Sequence, residues 1–249
     1  MLFLTYHKLS ERTENDADFY TVTRSQISEQ LQSLKAAGFK SLPLHDLAAG
    51  RTSVEKSFVL SFDDGTADHF NIALPVLREF DQNAIFFVPT AKLNLPDRLT
   101  DDQLRRISDT GHAIGCHSHD HKRLDDVSET ELKHQLGTSC EKLEHITGKK
   151  VWAFAPPGGF TINSVRVAAL GTGIKIIRTM RWGFNRTPDF TALETVPINR
   201  HTDERQFQKI LEGKHPRLLY FGKQAAKALM PAQTYERLRG WIFKIGRKN

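Results

Sequence analysis

Cysteine is almost missing from this 249-residue chain, which carries only Cys116 and Cys140. Two thiols cannot build the bridge network of a disulfide-held secreted scaffold, so a hydrophobic core must hold the fold and both are expected to stay reduced. No run approaches the ~18 consecutive apolar residues that a membrane span requires, which predicts a soluble chain. The apolar start, Met1 to Tyr6, is too short for a signal-peptide core and has no basic region before it, which predicts a cytoplasmic location. Fixed-period repeats, low-complexity tracts and Pro/Ser-rich linkers are also missing, so a single domain over residues 1–249 is expected. Zinc-finger spacing, an aromatic RNA-binding motif and a basic zipper are absent too, and nucleic acid is not an expected partner. The net charge of +6 suits an acidic glycan, a lipid-linked phosphate or an anionic membrane surface equally well.

What is present is an alternation of short apolar runs with amphipathic stretches. A strand is predicted at Leu2–Tyr6. A helix follows over Gln26–Ala37, with Ser25 as N-cap, Ile27, Leu31 and Leu34 as its stripe, and Gly38 at its end. Further strands are predicted at Phe39–Leu42, Phe58–Phe62, Ala84–Val88, Ala113–His117, Val151–Phe154, Ile174–Thr179, Val196–Ile198 and Leu218–Phe221. The clearest helix, Ser128–Thr147, opens with a Ser128/Glu131 capping box and ends at Gly148. This order implies parallel strands with helices outside, an α/β architecture. Leu238 to Asn249 mixes Trp241, Ile242, Phe243 and Ile245 with Arg239, Lys244, Arg247 and Lys248. It reads either as a last helix against the fold or as a basic helix making peripheral membrane contact.

Three clusters carry chemistry. In Ser61-Phe62-Asp63-Asp64-Gly65 an apolar strand ends in two carboxylates, whose burial is costly without a metal or a base as partner. An ordinary Asp-Asp-Gly turn is the plain alternative. In His117-Ser118-His119-Asp120-His121, His117 and His121 are four apart, so one helical turn would bring both imidazoles to one divalent ion. Two His and one carboxylate leave coordination positions open for water and substrate. Both clusters follow predicted strands at their carboxyl ends, the rim where barrels of this class assemble active sites. The third, Ala155-Pro156-Pro157-Gly158-Gly159, is a rigid turn that could wall the same mouth.

In this order, SFDDG at 61–65, HSHDH at 117–121 and APPGG at 155–159 resemble the motifs of the NodB-homology polysaccharide deacetylases, carbohydrate esterase family four. The opening LTYHKL, the helix with AGF, ALPVLREF and AIFFV look similar as well, so the resemblance covers about residues 1–200. It implies a distorted (β/α) barrel of mostly parallel strands. It also implies Asp63 as general base, Asp64, His117 and His121 as ligands of a divalent ion, zinc by preference, and Ser118 as an orienting residue. Pro156, Pro157, Gly158 and Trp182 would then contact substrate, although Trp182 reads equally as a core residue. The implied partner is an acylated amino-sugar glycan, and the implied reaction is hydrolysis of its N-acetyl groups.

Two departures stand out. Ala155 occupies a position where many members carry an Arg paired with the base, for which Arg178, Arg181 or Arg200 are the candidate substitutes. The late Leu-x-His of the family, which supplies a general acid, has no His in Arg217-Leu218-Leu219-Tyr220-Phe221, leaving His7 and His201 as candidates. These departures keep a non-catalytic, metal-containing glycan-binding module as an alternative, beside O-deacetylation or deformylation of a related sugar. A glycosidase fits poorly, because its two carboxyls must flank the scissile bond while Asp63 and Asp64 are neighbours.

Overall fold

The computed structural model describes residues 1–13, 18–52, 56–159 and 161–214. By contacts the chain divides into two compact units, Met1–Glu212 and Gly213–Asn249. The expected strand Leu218–Phe221 and the basic stretch Leu238–Asn249, with its suggested membrane contact, lie outside the described residues, so the single-domain expectation reaches beyond them.

In chain order the elements are β1 (Leu2–Tyr6), β2 (Lys8–Ser10), β3 (Thr21–Thr23), α1 (Arg24–Ala36), β4 (Lys40–Ser41), α2 (Leu44–Ala48) and β5 (Ser57–Asp63). There follow α3 (Leu74–Glu79), β6 (Ala84–Val88), α4 (Asp101–Asp109), β7 (Ala113–Cys116) and α5 (Glu129–Thr147). The last are β8 (Ala153–Phe154), α6 (Asn163–Gly171), β9 (Ile176–Trp182), β10 (Leu193–Pro197) and α7 (Glu204–Leu211).

Seven of the described strands, β1 and β5 to β10, lie side by side in chain order, all parallel. The sheet closes because β1 pairs with both β5 and β10. This is the (β/α) barrel expected. Its strands are covered on both faces, so β1 (LFLTY) and β5 (SFVLSFD) are buried throughout, as a parallel sheet between a packed interior and outer helices requires.

Alternate residues share a face, and the inward set changes character along the axis. Phe3, Val59, Ile85, Ala153, Ile176 and Leu193 form one apolar cluster, against which Met1, Trp152 and Phe190 pack. One step up, Thr5 Oγ1 meets Ser61 Oγ at 3.0 Å and Thr195 Oγ1 at 2.7 Å, a buried hydroxyl chain across the closing seam. Another step up on β5 stands Asp63. The apolar floor thus fills the barrel from below and leaves its polar groups at the carboxyl ends of the strands.

The barrel is distorted at β9. Arg178 stands opposite Leu193, but Trp182 stands opposite Thr195, so β9 carries two extra residues there. Thr179 Oγ1 bridges the break by donating to the Leu193 carbonyl at 2.9 Å and accepting from Arg181 N–H at 3.1 Å. Arg178 stands just before the break, in register with Leu193, and faces inward two residues after Ile176 of the apolar cluster.

Local signals needed two corrections. The N-cap of α1 is Thr23, not Ser25; it completes a capping box with Gln26, and the helix starts two residues earlier than expected. At α5, Ser128 accepts from Glu131 N–H, but the Glu131 carboxylate accepts from Gln135 Nε2 at 2.8 Å, so only half of the expected box forms. Gly38 and Gly148 do end these helices in left-handed conformation.

Gly115 on β7 is a packing requirement of the barrel interior. A Cβ there would come within 2.5 Å of the Phe87 ring and 3.2 Å of the Ala153 carbonyl. Gly115→Ala is expected to destabilise the fold by about 1–3 kcal/mol through overpacking, read as a lowered Tm. Gly137→Ala on α5, where an added Cβ meets nothing within 4 Å, should leave the Tm unchanged or raised.

Candidate metal centre and active site

The chain turns sharply where β5 ends. Asp63 is the last strand residue, while Asp64 (φ 77°) and Gly65 (φ 59°) are both left-handed. For an L-residue this costs roughly 1–2 kcal/mol, least for Asp or Asn. Arg98 Nη1 donates to the Asp64 carbonyl at 2.8 Å and Leu99 N–H to that of Gly65 at 3.0 Å, holding the turn. Only glycine suits position 65, since a Cβ would meet Val88 Cγ1 at 2.9 Å. The turn sends the two neighbouring carboxylates to different partners.

Asp64 goes to the histidines. Its Oδ1 lies 2.9 Å from His121 Nε2 and 3.4 Å from His117 Nε2. One ligand atom from each residue lies within 4.8 Å of the others. The imidazoles converge, but not through the helical turn expected: β7 stops at Cys116, and Ser118 (φ 60°) and His121 (φ 69°) are left-handed. Ser118 Oγ accepts the His121 N–H at 3.0 Å and closes the loop. His119 turns elsewhere, its Nδ1 2.9 Å from Thr90 Oγ1.

His117 Nδ1 lies 2.5 Å from the Ala155 carbonyl, which can only accept, so this nitrogen carries the proton. In the neutral ring Nε2 then holds a lone pair facing a carboxylate oxygen, and two acceptors face each other stably only with a cation or a proton between them. The donor set therefore fits a divalent ion, for which the Ala155 carbonyl would be the outer partner that orients His117. In the metal-free chain a proton takes the place between the two acceptors: burial pushes the Asp64 carboxyl up, but hydrogen bonds from the His117 and His121 rings, protonated at Nε2, outweigh it and hold the group well below the usual carboxylate range.

Asp63 goes to Arg178. The guanidinium Nη2 donates to both Asp63 oxygens at 2.5 Å, from a side chain with no solvent exposure. Nη1 reaches Met180 Sδ at 3.0 Å, and the guanidinium carbon lies 5.1 Å from the Phe87 ring centroid. Burial raises the Asp63 pKa, but Arg178 first, then His117 and His7, bring it below the ordinary value. Because Phe154 pairs with Ile177, Ala155 and Arg178 stand at the same level on adjacent strands. The guanidinium missing at 155 is thus supplied one strand over. Of the other two arginines proposed for this place, Arg181 donates to the Ala192 carbonyl at 2.7 Å, and the Arg200 backbone N–H donates to that of Phe19 at 3.0 Å.

His7 follows β1, its Nε2 3.8 Å from Asp63 Oδ2 and its ring stacked on Tyr20 at 4.6 Å. The fully buried His69 ring bonds the His7 carbonyl through Nε2. His201 is exposed, its ring 5.7 Å from that of Phe19. Arg217–Phe221 lies outside the described residues.

The Pro-rich turn borders this group from β8. Pro156 and Pro157 are buried and only Gly158 is exposed, so the prolines shape the wall and offer a sugar little surface. Gly158 (φ 68°) and Gly159 (φ 74°) fold the turn onto Met180, which a Cβ at 159 would meet at 2.3 Å. Trp182, expected in an open groove, is 7% exposed and packs edge-on against Phe184 at 5.4 Å. Its burial favours the core reading of this residue. Arg98 and Lys92, which border the site, carried no motif signal and were missed.

Comparison with known proteins assigns the family. The polysaccharide deacetylase family model matches residues 50–177, and the chain belongs to this family of NodB homology. It is 26% identical to the peptidoglycan-N-acetylmuramic acid deacetylase PdaA of Bacillus subtilis over 76% of this chain and 70% of that one. It is 34% identical to a chitooligosaccharide deacetylase of Azorhizobium caulinodans over 41% of this chain and 47% of that protein. Among solved structures, the fold is shared with the Streptococcus pyogenes deacetylase PplD in complex with acetate, at TM-score 0.76 and 22% identity, covering 87% of this chain and 98% of that one. IcaB from Ammonifex degensii matches at TM-score 0.74 and 20% identity, over 86% and 97% of the two chains.

His121→Ala is expected to lower zinc affinity by at least about a hundredfold, since it removes one of three ligands, and Ser118→Ala by about tenfold through loss of loop closure. His119→Ala should leave affinity within about threefold of the starting protein. Competition titration against a chromogenic chelator measures all three.

Proposed function

We propose that this chain is a metal-dependent hydrolase that removes N-acetyl groups from an amino-sugar unit of a glycan. The observation that carries this reading is the carboxylate of Asp63, held ionised by a buried guanidinium directly beside the Asp64, His117, His121 triad. A divalent ion on that triad, zinc by its mixed nitrogen and oxygen donors, would supply Lewis-acid polarisation of the acetamide carbonyl and an acidified water.

The protein's own groups do the rest. Asp63 takes the proton of the attacking water, a role that needs the ionised form which Arg178 favours. Arg178 also fixes the carboxylate plane by bonding both oxygens. His117 and His121 are held in register by the Ala155 carbonyl and Ser118 Oγ. His7, beside Asp63, is the proton donor assigned to the departing amine; burial lowers its pKa, so the protonated form that donates is favoured towards acid pH, and His69 positions it through the His7 carbonyl. Acetate and a free amine are the products. The relatives named for peptidoglycan and chitooligosaccharide deacetylation support an acetylated amino-sugar polymer or oligomer as the substrate class.

The non-catalytic binding module rested on Ala155 and on the missing late histidine. Arg178 removes the first ground. The second remains in the sequence Arg217–Phe221, and assays of acetate release from N-acetylated oligosaccharides decide between the readings. Mass spectrometry of the product separates loss of acetyl from nitrogen, loss from oxygen and loss of formyl.

Asp63→Asn should keep zinc bound while slowing acetate release by about a hundredfold or more, the scale of general-base loss. Equal loss of zinc in Asp63→Asn and Asp64→Asn would make Asp63 a ligand and the base assignment wrong. Arg178→Met removes the cation that lowers the Asp63 pKa, so that pKa rises. Since the base works above its pKa, the acid limb of the kcat/KM profile should move to higher pH, with a larger loss at pH 5 than at pH 8. An unmoved acid limb would show that Arg178 does not tune the base.

A further inference from the structure

The loop from Pro89 to Leu99 is tied to both ligand-bearing loops. Ala91 N–H donates to the His119 carbonyl at 2.8 Å, and Ala67 N–H to that of Asp97 at 3.1 Å. Thr66 and Arg98 form an antiparallel bridge, and Lys142 of α5 anchors the Thr90 carbonyl at 3.1 Å. This loop is therefore a fixed part of the mouth, and it carries two half-buried cations, Lys92 and Arg98.

Arg98 spends Nη1 on the Asp64 backbone carbonyl at 2.8 Å. Lys92 lies close enough to Arg98, Asp64 and Asp120 for all three to act on its charge; burial first, and Arg98 next, lower its pKa. The two carboxylates that act on Lys92 are already engaged. Asp120 pairs with Lys122 at 2.6 Å, and Asp64 faces the two histidines. A divalent ion on the triad would more than offset the single charge of Asp64, leaving two cations on a loop whose backbone at Ala91 bonds the His119 carbonyl and whose Arg98 bonds the Asp64 carbonyl. An ammonium and a guanidinium fork so placed are ready partners for an oxyanion.

We infer that Lys92 and Arg98 form a subsite for an oxyanion, carboxylate or phosphate, carried by the glycan next to its acetamido sugar, so that the preferred substrate is acidic. Placing this ligand on a glycan rests on the deacetylase reading above; the anion subsite itself does not. The net charge of +6 acts in the same direction, drawing an acidic polymer towards the surface.

Binding is measured by calorimetry with the zinc-loaded full chain in the slow Asp63→Asn background. The three probes are neutral chitotetraose, an oligosaccharide alternating N-acetylglucosamine with glucuronic acid, and chitotetraose 6-phosphate. At least one acidic probe should bind roughly tenfold or more tightly than the neutral one, the scale of a charged hydrogen bond; which one does so identifies carboxylate or phosphate. Lys92→Gln should bring that ratio to near one, and Lys92→Arg should restore it, which a merely structural lysine would not do. Equal binding of all three probes, or an acidic preference that survives Lys92→Gln, overturns the subsite. Acidic preference without acetate release by the Asp63 protein would sink the deacetylase reading and leave the subsite standing, whereas acetate release without acidic preference does the reverse.

Discussion

The ion pair between Arg178 and Asp63 is the interaction on which the rest of this site depends. It joins β9 to β5 across the barrel, between residues 115 apart in sequence, and both side chains are buried. Two charges leave water only at a cost of several kcal/mol each, which their contact offsets only when geometry and further bonds are good. The surroundings meet that condition at the two Nη nitrogens, while Nε is buried without a hydrogen-bond partner. Two bonds reach one carboxylate, Met180 sulfur accepts from Nη1, and the Phe87 ring lies by the guanidinium. Each of these depends on something smaller: the alternation of β9 turns Arg178 inward above Ile176, Gly115 makes room for Phe87, and Ala155 leaves the adjacent inward position empty of a long side chain.

The same pair explains how two adjacent aspartates can differ. Asp63 ends a regular strand and meets a permanent cation, while Asp64, one residue later and left-handed, meets two imidazoles. Local strain recurs at Ser118 and His121. It persists because Ser118 Oγ accepts the His121 N–H, Gln135 Oε1 on α5 accepts those of His119 and Asp120, and Arg98 donates to the Asp64 carbonyl, holding both loops to a rigid scaffold. The apolar floor beneath carries no charge, so the strain and the polar groups are confined to one end of the barrel.

The entrance follows a second logic, that of unspent charge. Inside, each carboxylate has a cation or an imidazole partner. On the Pro89–Leu99 loop the excess is positive, and it sits on backbone bonded to both ligand loops. A glycan group of opposite sign would complete the balance that the interior reaches with its own residues.

Much of this was legible in the chain itself. Runs of alternating apolar strand and amphipathic helix determined a parallel barrel, because both faces of such strands must be covered; β1 and β6 have the bounds read from the sequence. The clusters at 61–65, 117–121 and 155–159 determined the candidate ligands and base, because each chemistry needs particular side chains at the end of a strand. Tertiary structure alone decided how they meet. The spacing of His117 and His121 suggested a helical turn, whereas a serine-closed left-handed loop does the work, since the imidazoles must face a carboxylate on another strand. Three arginines could have answered Ala155, and the register of β9 beside β8, with Ile177 opposite Phe154, selects Arg178. Trp182 is buried because β9 continues past the break in its pairing with β10, and Lys92 with Arg98 gained meaning only when their loop was seen between the two ligand loops. A local pattern specifies which groups are available and which element carries them. Which groups face one another depends on register and closure between strands far apart in the chain, and those are settled by packing of the whole barrel.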